Sequence, residues 1–259
     1  MKNFGKTLRL WREINKKSQM DLALDVDIST KHVSYIENGK SQPSRQLVLK
    51  ISECLKVPFR QRNALLISAG YTPEFKENSL ESSDMKIIKD ILENLLKKQE
   101  PYPAFVVNPG YRILLKNSGY DKLIRNFASD DAIIKYDNVM KLMFAEDGLR
   151  NSVKGIDAIE NFLLERLLHE MASSQNNELS QLYRFLSRKQ KNKNCVFEES
   201  FIPHLPVLNL EMEKNGKKVS LVSTITTLRT PLDITTQELR IELFFPVDEE
   251  TKVFFEAKK

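Results

Sequence analysis

Residues 18–44, SQMDLALDVDISTKHVSYIENGKSQPS, leave a chain few ways to fold. Ser18 is placed to cap a helix, with Asp21 three residues on as a shortened capping-box acid. Leu22, Ala23 and Val26 then form an apolar face at helical spacing. Asp27-Ile28 makes a turn, and Ser29 caps a second helix with Val33 and Ile36 on its inner face and Gly39 at its end. Thr30, Lys31, His32, Ser34 and Tyr35 fall on or near the outer face. A short, polar, exposed helix on a small core is an element that the major groove of DNA admits.

The charge distribution points the same way. Residues 1–72 carry 13 lysines and arginines against six acids, a net +7, whereas the remainder carries 27 against 29, a net −2. A positive field confined to the segment with the two-helix pattern is what a phosphate-binding module requires. At 259 residues the chain has room for two domains, and 41% hydrophobic with 29% charged residues fits a soluble globular protein. Apolar runs such as Ala64-Leu65-Leu66-Ile67 are too short to cross a bilayer, and the N-terminus has no hydrophobic signal-peptide core. A cytoplasmic location with no membrane partner is expected. Cys54 and Cys195 lie far apart with no metal-ligand spacing, which fits a reducing compartment.

Ser18-Gln19-x-x-Leu22-Ala23 followed by Val33-Ser34-x-Ile36-Glu37-Asn38-Gly39-Lys40 resembles the Cro/CI-type (xenobiotic response element, XRE) helix-turn-helix family, from about Leu8 to Leu55 and without gaps. Asp27 stands where that family usually has glycine, and Asp tolerates a left-handed backbone better than most residues. The resemblance implies an all-α, five-helix, lambda-repressor-like DNA-binding domain. It implies base contacts from Thr30 and Lys31, with Tyr35 one turn further on and His32 beside them. Gln19, Ser34, Asn38, Lys40 and Ser41 would then face phosphates, and Arg12 and Glu37 would form a structural ion pair between the first and third helices.

Around the motif, residues 4–17 form a first helix with Leu8 and Trp11 inward, Pro43-Ser44 starts a fourth with Leu47, Ile51 and Leu55 inward, and Pro58 starts a fifth that Gly70 ends. The DNA-binding domain is placed at 1–73, and polar residues 74–83 read as a linker. Residues 84–99 form an amphipathic helix that packs on the core that follows or, alternatively, also transmits a signal or pairs subunits. Strands are expected at 104–107 and 112–116, helices at 118–127, 138–144, 156–173 and 178–188, and strands again at 207–212, 219–228 and 238–245, with Asn215-Gly216 as a hairpin turn. This order over 84–259 fits an α+β, PAS-like domain of about five antiparallel strands with helices on one face.

Arg62-Asn63-Ala64-Leu65-Leu66, Glu100-Pro101-Tyr102-Pro103, Thr230-Pro231-Leu232-Asp233-Ile234-Thr235 and Glu242-Leu243-Phe244-Phe245-Pro246 resemble bacterial regulators with an MmyB-like ligand-binding domain. That resemblance implies a pocket for a small, apolar or fatty-acid-like ligand. Phe127, Leu142, Leu163, Leu167, Leu210 and Leu221 are candidates to line it, although the same pattern would fill an ordinary core.

An enzyme is not expected. His32, His169 and His204 lie in different segments without a carboxylate or cysteine partner at ligand spacing, and there is no phosphate-binding glycine loop or nucleophile elbow. No catalytic residue, metal or cofactor is assigned. Cys195, flanked by Lys193 and Asn194, is a candidate redox thiol with nothing nearby to secure a low pKa. The expectation is a homodimeric transcription regulator on a palindromic double-stranded site. The alternative is an antitoxin-like or scaffold protein whose second domain binds a protein partner.

Overall fold

A computed structural model describes residues 2–174, 177–190, 209–229 and 231–257. Cys195, His204, Thr230 and the first residues of the expected 207–212 strand lie outside them. The chain divides into two compact units, one of residues 1–79 with 229–237, the other of 80–228 with 238–259.

The first unit holds α1 (Lys2–Ile14), α2 (Gln19–Val26), α3 (Thr30–Glu37), α4 (Arg45–Cys54) and α5 (Phe59–Ser68). Ser18, Ser29 and Ser44 each accept the amide three residues on, which starts α2, α3 and α4. Leu8, Trp11, Leu22, Val26, Val33, Ile36, Ile51, Leu65 and Leu66 form one buried core. On α4 the inner position belongs to Val48, and Leu47 is only half buried.

The polar stretch after α5, expected as a linker, is fixed onto that helix. Asn63 Oδ1 accepts from the amides of Glu74 and Phe75 at 2.9 and 3.1 Å, and its Nδ2 donates to the Phe75 carbonyl at 2.7 Å. Phe75 stacks on Phe59 with ring centres 4.1 Å apart, and the Arg62 guanidinium covers both rings. Arg45 pairs with Glu74 and Arg60 with Glu77.

The second unit begins with α6 (Lys86–Lys98), β1 (Ala104–Val107), β2 (Ile113–Lys116), α7 (Ser118–Phe127), α8 (Asp130–Lys135), α9 (Val139–Phe144), α10 (Ile156–Ser174) and α11 (Asn177–Lys189). It continues with β3 (Asn209–Lys214) and β4 (Lys217–Thr226); then come α12 (Ile234–Glu238), most of which belongs to the first unit, β5 (Arg240–Pro246) and α13 (Glu249–Glu256). Among the described residues the sheet is antiparallel with order β2-β1-β5-β4-β3. Asn215 and Gly216, both at positive φ, turn β3 into β4 as the Asn-Gly pair predicts.

Phe105 and Val107 face the larger core with Leu123, Phe127 and Leu142, whereas Ala104 and Val106 face Leu92 and Leu96 of α6. Burial of β1 on both faces explains why its sequence is a continuous apolar run. Asn117 locks this corner by using its whole side-chain amide. Its Oδ1 accepts from Ala104 N and Tyr120 N, and its Nδ2 donates to the carbonyls of Leu96 and Tyr102. On α10 the partly buried Glu170 gathers a polar set, accepting from Tyr111 at 2.9 Å, Arg166 at 3.1 Å and Arg240 at 2.9 Å.

Three short helices differ from expectation. α8 (Asp130–Lys135) lies between the expected helices 118–127 and 138–144, where none was expected, and starts where Ser129 caps the Ala132 amide. α13 starts where Asp248 accepts from Thr251 N, and α12 where Asp233 accepts from Thr235 N. α8 and α12, of six and five residues, are too short to show a 3.6-residue period.

Candidate nucleic-acid interface

Ser18 and Asp21 form the complete capping box, with Ser18 N donating to Asp21 Oδ2 at 2.8 Å and Asp21 N to Ser18 Oγ at 3.1 Å. The bond to Ser18 holds the Asp21 carboxyl below its ordinary pKa. Asp27 takes the left-handed conformation at φ 58°, ψ 55°, so an aspartate performs the turn where a glycine is usual. Ser29 then caps α3 through the His32 amide at 3.2 Å. At the other end Gly39, at φ 70°, lets Gly39 N reach the Ile36 carbonyl and Lys40 N the Tyr35 carbonyl, which closes the helix as a Schellman motif.

With Val33, Ile36 and Glu37 buried, the N-terminal and outer positions of α3 face solvent. Thr30, Lys31 and Tyr35 are exposed, and among the described residues none makes a side-chain hydrogen bond or ion pair within the protein. The Tyr35 ring is flanked by two ammonium groups, Lys31 Nζ at 5.6 Å and Lys40 Nζ at 5.9 Å from its centre. His32 is half buried and lies 3.4 Å from Ser41 Oγ through Nε2. Asn38 folds back on Ser34, donating to its carbonyl at 2.8 Å and approaching its hydroxyl at 3.4 Å. Of the expected base-contact residues, Thr30, Lys31 and Tyr35 are exposed, whereas His32 is half buried against Ser41, and Lys40 and Ser41 follow on the chain leaving α3.

Glu37 fixes the angle of this helix. Its carboxylate accepts from Arg12 Nε at 2.6 Å, Arg12 Nη2 at 3.1 Å, Gln19 Nε2 at 2.8 Å and Arg9 Nε at 3.3 Å. Burial pushes the Glu37 carboxyl up, but these hydrogen bonds outweigh it and hold the group below the usual carboxylate range. Arg12 is raised in return, chiefly through its bond to Glu37. Gln19, expected at phosphates, directs one amide hydrogen to Glu37, so its orientation is set from inside the protein.

Arg9 was absent from the expected set and completes it, since its Nη2 also reaches Asn38 Oδ1 at 3.5 Å. The usable signal was its spacing of three from Arg12, which puts both guanidinium groups on one face of α1.

The six residues expected to line a ligand pocket fall in two adjoining apolar clusters. Phe127, Leu142 and Leu221 are fully buried in one cluster against half-buried Leu163 and Leu210, and Leu167 lies in the neighbouring cluster that Leu163 also touches. No group of residues that could hold a metal occurs among the described residues, and none of their helices is long and apolar enough to cross a membrane.

A model described as the MmyB-like transcription regulator ligand binding domain matches residues 88–257, more than half of the chain, and a helix-turn-helix model matches residues 8–61. Among curated proteins, the HTH-type transcriptional repressor RghR of Bacillus subtilis (strain 168) is 37% identical over 78 residues, which is 30% of this chain and 56% of that protein. The uncharacterized HTH-type transcriptional regulator RghRB of the same organism is 35% identical over 85 residues, 32% of this chain and 59% of that protein. The chain thus spans less than two thirds of the length of either relative.

Proposed function

The chain belongs to the MmyB-like transcription regulators, joining their ligand-binding domain to a helix-turn-helix unit, and we propose that it binds a specific double-stranded operator and adjusts that binding to a small ligand. The observation that carries this is the uncommitted face of α3, held at a fixed angle by the Glu37 network. Thr30, Lys31, His32 and Tyr35 read base edges in the major groove, Lys31 as a donor to guanine N7 and O6 and Thr30 against a thymine methyl or base edge. Gln19, Ser34, Asn38, Lys40 and Ser41 set the register on phosphates. The protein acts as a cytoplasmic homodimer on a palindromic site, without catalysis. Its second unit opens around Phe127, Leu142, Leu163, Leu167, Leu210 and Leu221 for an apolar or fatty-acid-like molecule, and α6 passes the change on or pairs the subunits.

The test is Lys31→Ala, read by footprinting and by site selection from a random duplex library. Weaker binding together with altered preference at one base position is expected. Unchanged affinity and preference would remove α3 from the groove.

A further inference from the structure

The N-cap of α5 is Pro58, which offers no side-chain acceptor. A helix begun this way leaves its first amides without partners. Here the Phe59 amide donates instead to Gln237 Oε1 at 2.7 Å, from a residue 178 positions downstream. The same downstream segment holds the chain that follows α5. Ile234 N donates to the Lys76 carbonyl at 2.9 Å. Asp233 Oδ2 accepts both the amide and the side-chain nitrogen of Asn78 at 3.0 Å, and Thr235 Oγ1 donates to the Asn78 carbonyl at 2.7 Å. Asp233, Ile234 and Thr236 are buried.

This segment is the connection between β4 and β5, which are neighbours in the sheet with Thr226 opposite Ile241. Adjacent antiparallel strands are ordinarily joined by two to five residues. This connection leaves the sheet after Thr226, contributes residues 229–237 to the DNA-binding unit, and re-enters at Arg240. On the receiving side α5 packs against α1, and α1 carries the Arg9 and Arg12 that hold Glu37 at the end of α3.

We propose that residues 229–237 tether the DNA-binding unit to the ligand-binding sheet, with Gln237 and Asp233 as positioning residues for α5 and the chain after it. Movement of β4 against β5 reaches the α5 cap through the covalent chain and then α3 through α1 and Glu37. The proposal rests on the DNA-binding reading above. Because coupling between two sites is reciprocal, operator binding must in turn alter β4 and β5.

The experiment follows backbone amide exchange in the full chain, with and without a saturating duplex that the wild-type chain has selected from a random library. In the wild type, the duplex is expected to change exchange in residues 217–226 and 240–246. In Gln237→Ala the Phe59 amide is expected to exchange roughly fivefold faster, as for a lost helix cap, and the effect of the duplex on β4 and β5 to disappear. Gln237→Glu keeps a side-chain oxygen at the cap and is expected to restore both behaviours, while thermal unfolding shows that each variant is folded. An operator effect on β4 and β5 that is absent in the wild type, or equal in all three chains, would overturn the tether. A chain that selects no duplex at all would overturn the DNA-binding reading and the tether with it.

Discussion

At Glu37 two effects of opposite sign meet, since burial raises the carboxyl pKa while Arg12, Gln19 and Arg9 lower it, and the second prevails. The folded-state pKa is thus below the ordinary 4.5. Stabilisation from the group is complete above the unfolded value and is lost as pH falls through the folded one. Glu37→Gln should cost about 3 kcal/mol at neutral pH, because it strands the buried end of Arg12 without its counter-ion. That deficit should shrink as pH falls below the ordinary value of 4.5 and through the lowered folded one, where the wild type also loses the pair. Urea unfolding of both chains across this range measures the difference, and a deficit independent of pH would mean that Glu37 acts by shape alone. Lys40 offers the contrasting case of an exposed charge without an ion pair among the described residues. Lys40→Ala should weaken binding about equally for all sequences and lower the salt slope by about one unit. Titrations at several salt concentrations decide it, and an unchanged slope would take Lys40 off the phosphates.

Among elements, the approach of α1 to α3 depends on Gly5. Glycine within a helix usually gives way to alanine with a gain of about 1 kcal/mol. Here an added Cβ would stand 2.2 Å from the Glu37 carbonyl oxygen and 2.7 Å from that of Ile36, and neither backbone atom can yield alone. The clash should outweigh the propensity, so Gly5→Ala is expected to destabilise the DNA-binding unit by about 2 kcal/mol. A thermal unfolding midpoint at or above that of the wild type would show that the two helices separate freely. The elements themselves were legible where a cap and a period coincided. Ser18, Ser29 and Ser44 announced α2 to α4, and Asn215-Gly216 announced the β3–β4 hairpin. Helices α8 and α12 were missed because six and five residues show a cap but too little periodicity, and α13 followed the last expected strand with no helix assigned to it. Asp233 illustrates the limit, for its capping role is local while the Asn78 it also holds lies 155 residues away.

For the whole molecule, the charge asymmetry between residues 1–72 and the rest was legible before any geometry was known, because it needs only the count of ionisable side chains along the chain. Helical spacing put Thr30, Lys31, His32, Ser34 and Tyr35 on or near the outer face of α3, and of these His32 and Ser34 are half buried. The rigidity of that face was legible only in part, since Arg9 and Gln19 meet Glu37 through tertiary packing. Native mass spectrometry of the full chain is expected to show twice the 30.0 kDa chain mass together with the added mass of a chain-like ligand. A bare single-chain mass at working concentration would contradict both the dimer and the carried ligand.

The contribution of residues 229–237 to the first unit bears on how such proteins can be recombined. A gene fusion cut after residue 79 would deliver α1 to α5 without the Gln237 side chain that completes α5 and without the buried Ile234. The helix-turn-helix unit is encoded in two separated stretches, and exchanging one C-terminal domain for another has to carry the second stretch along.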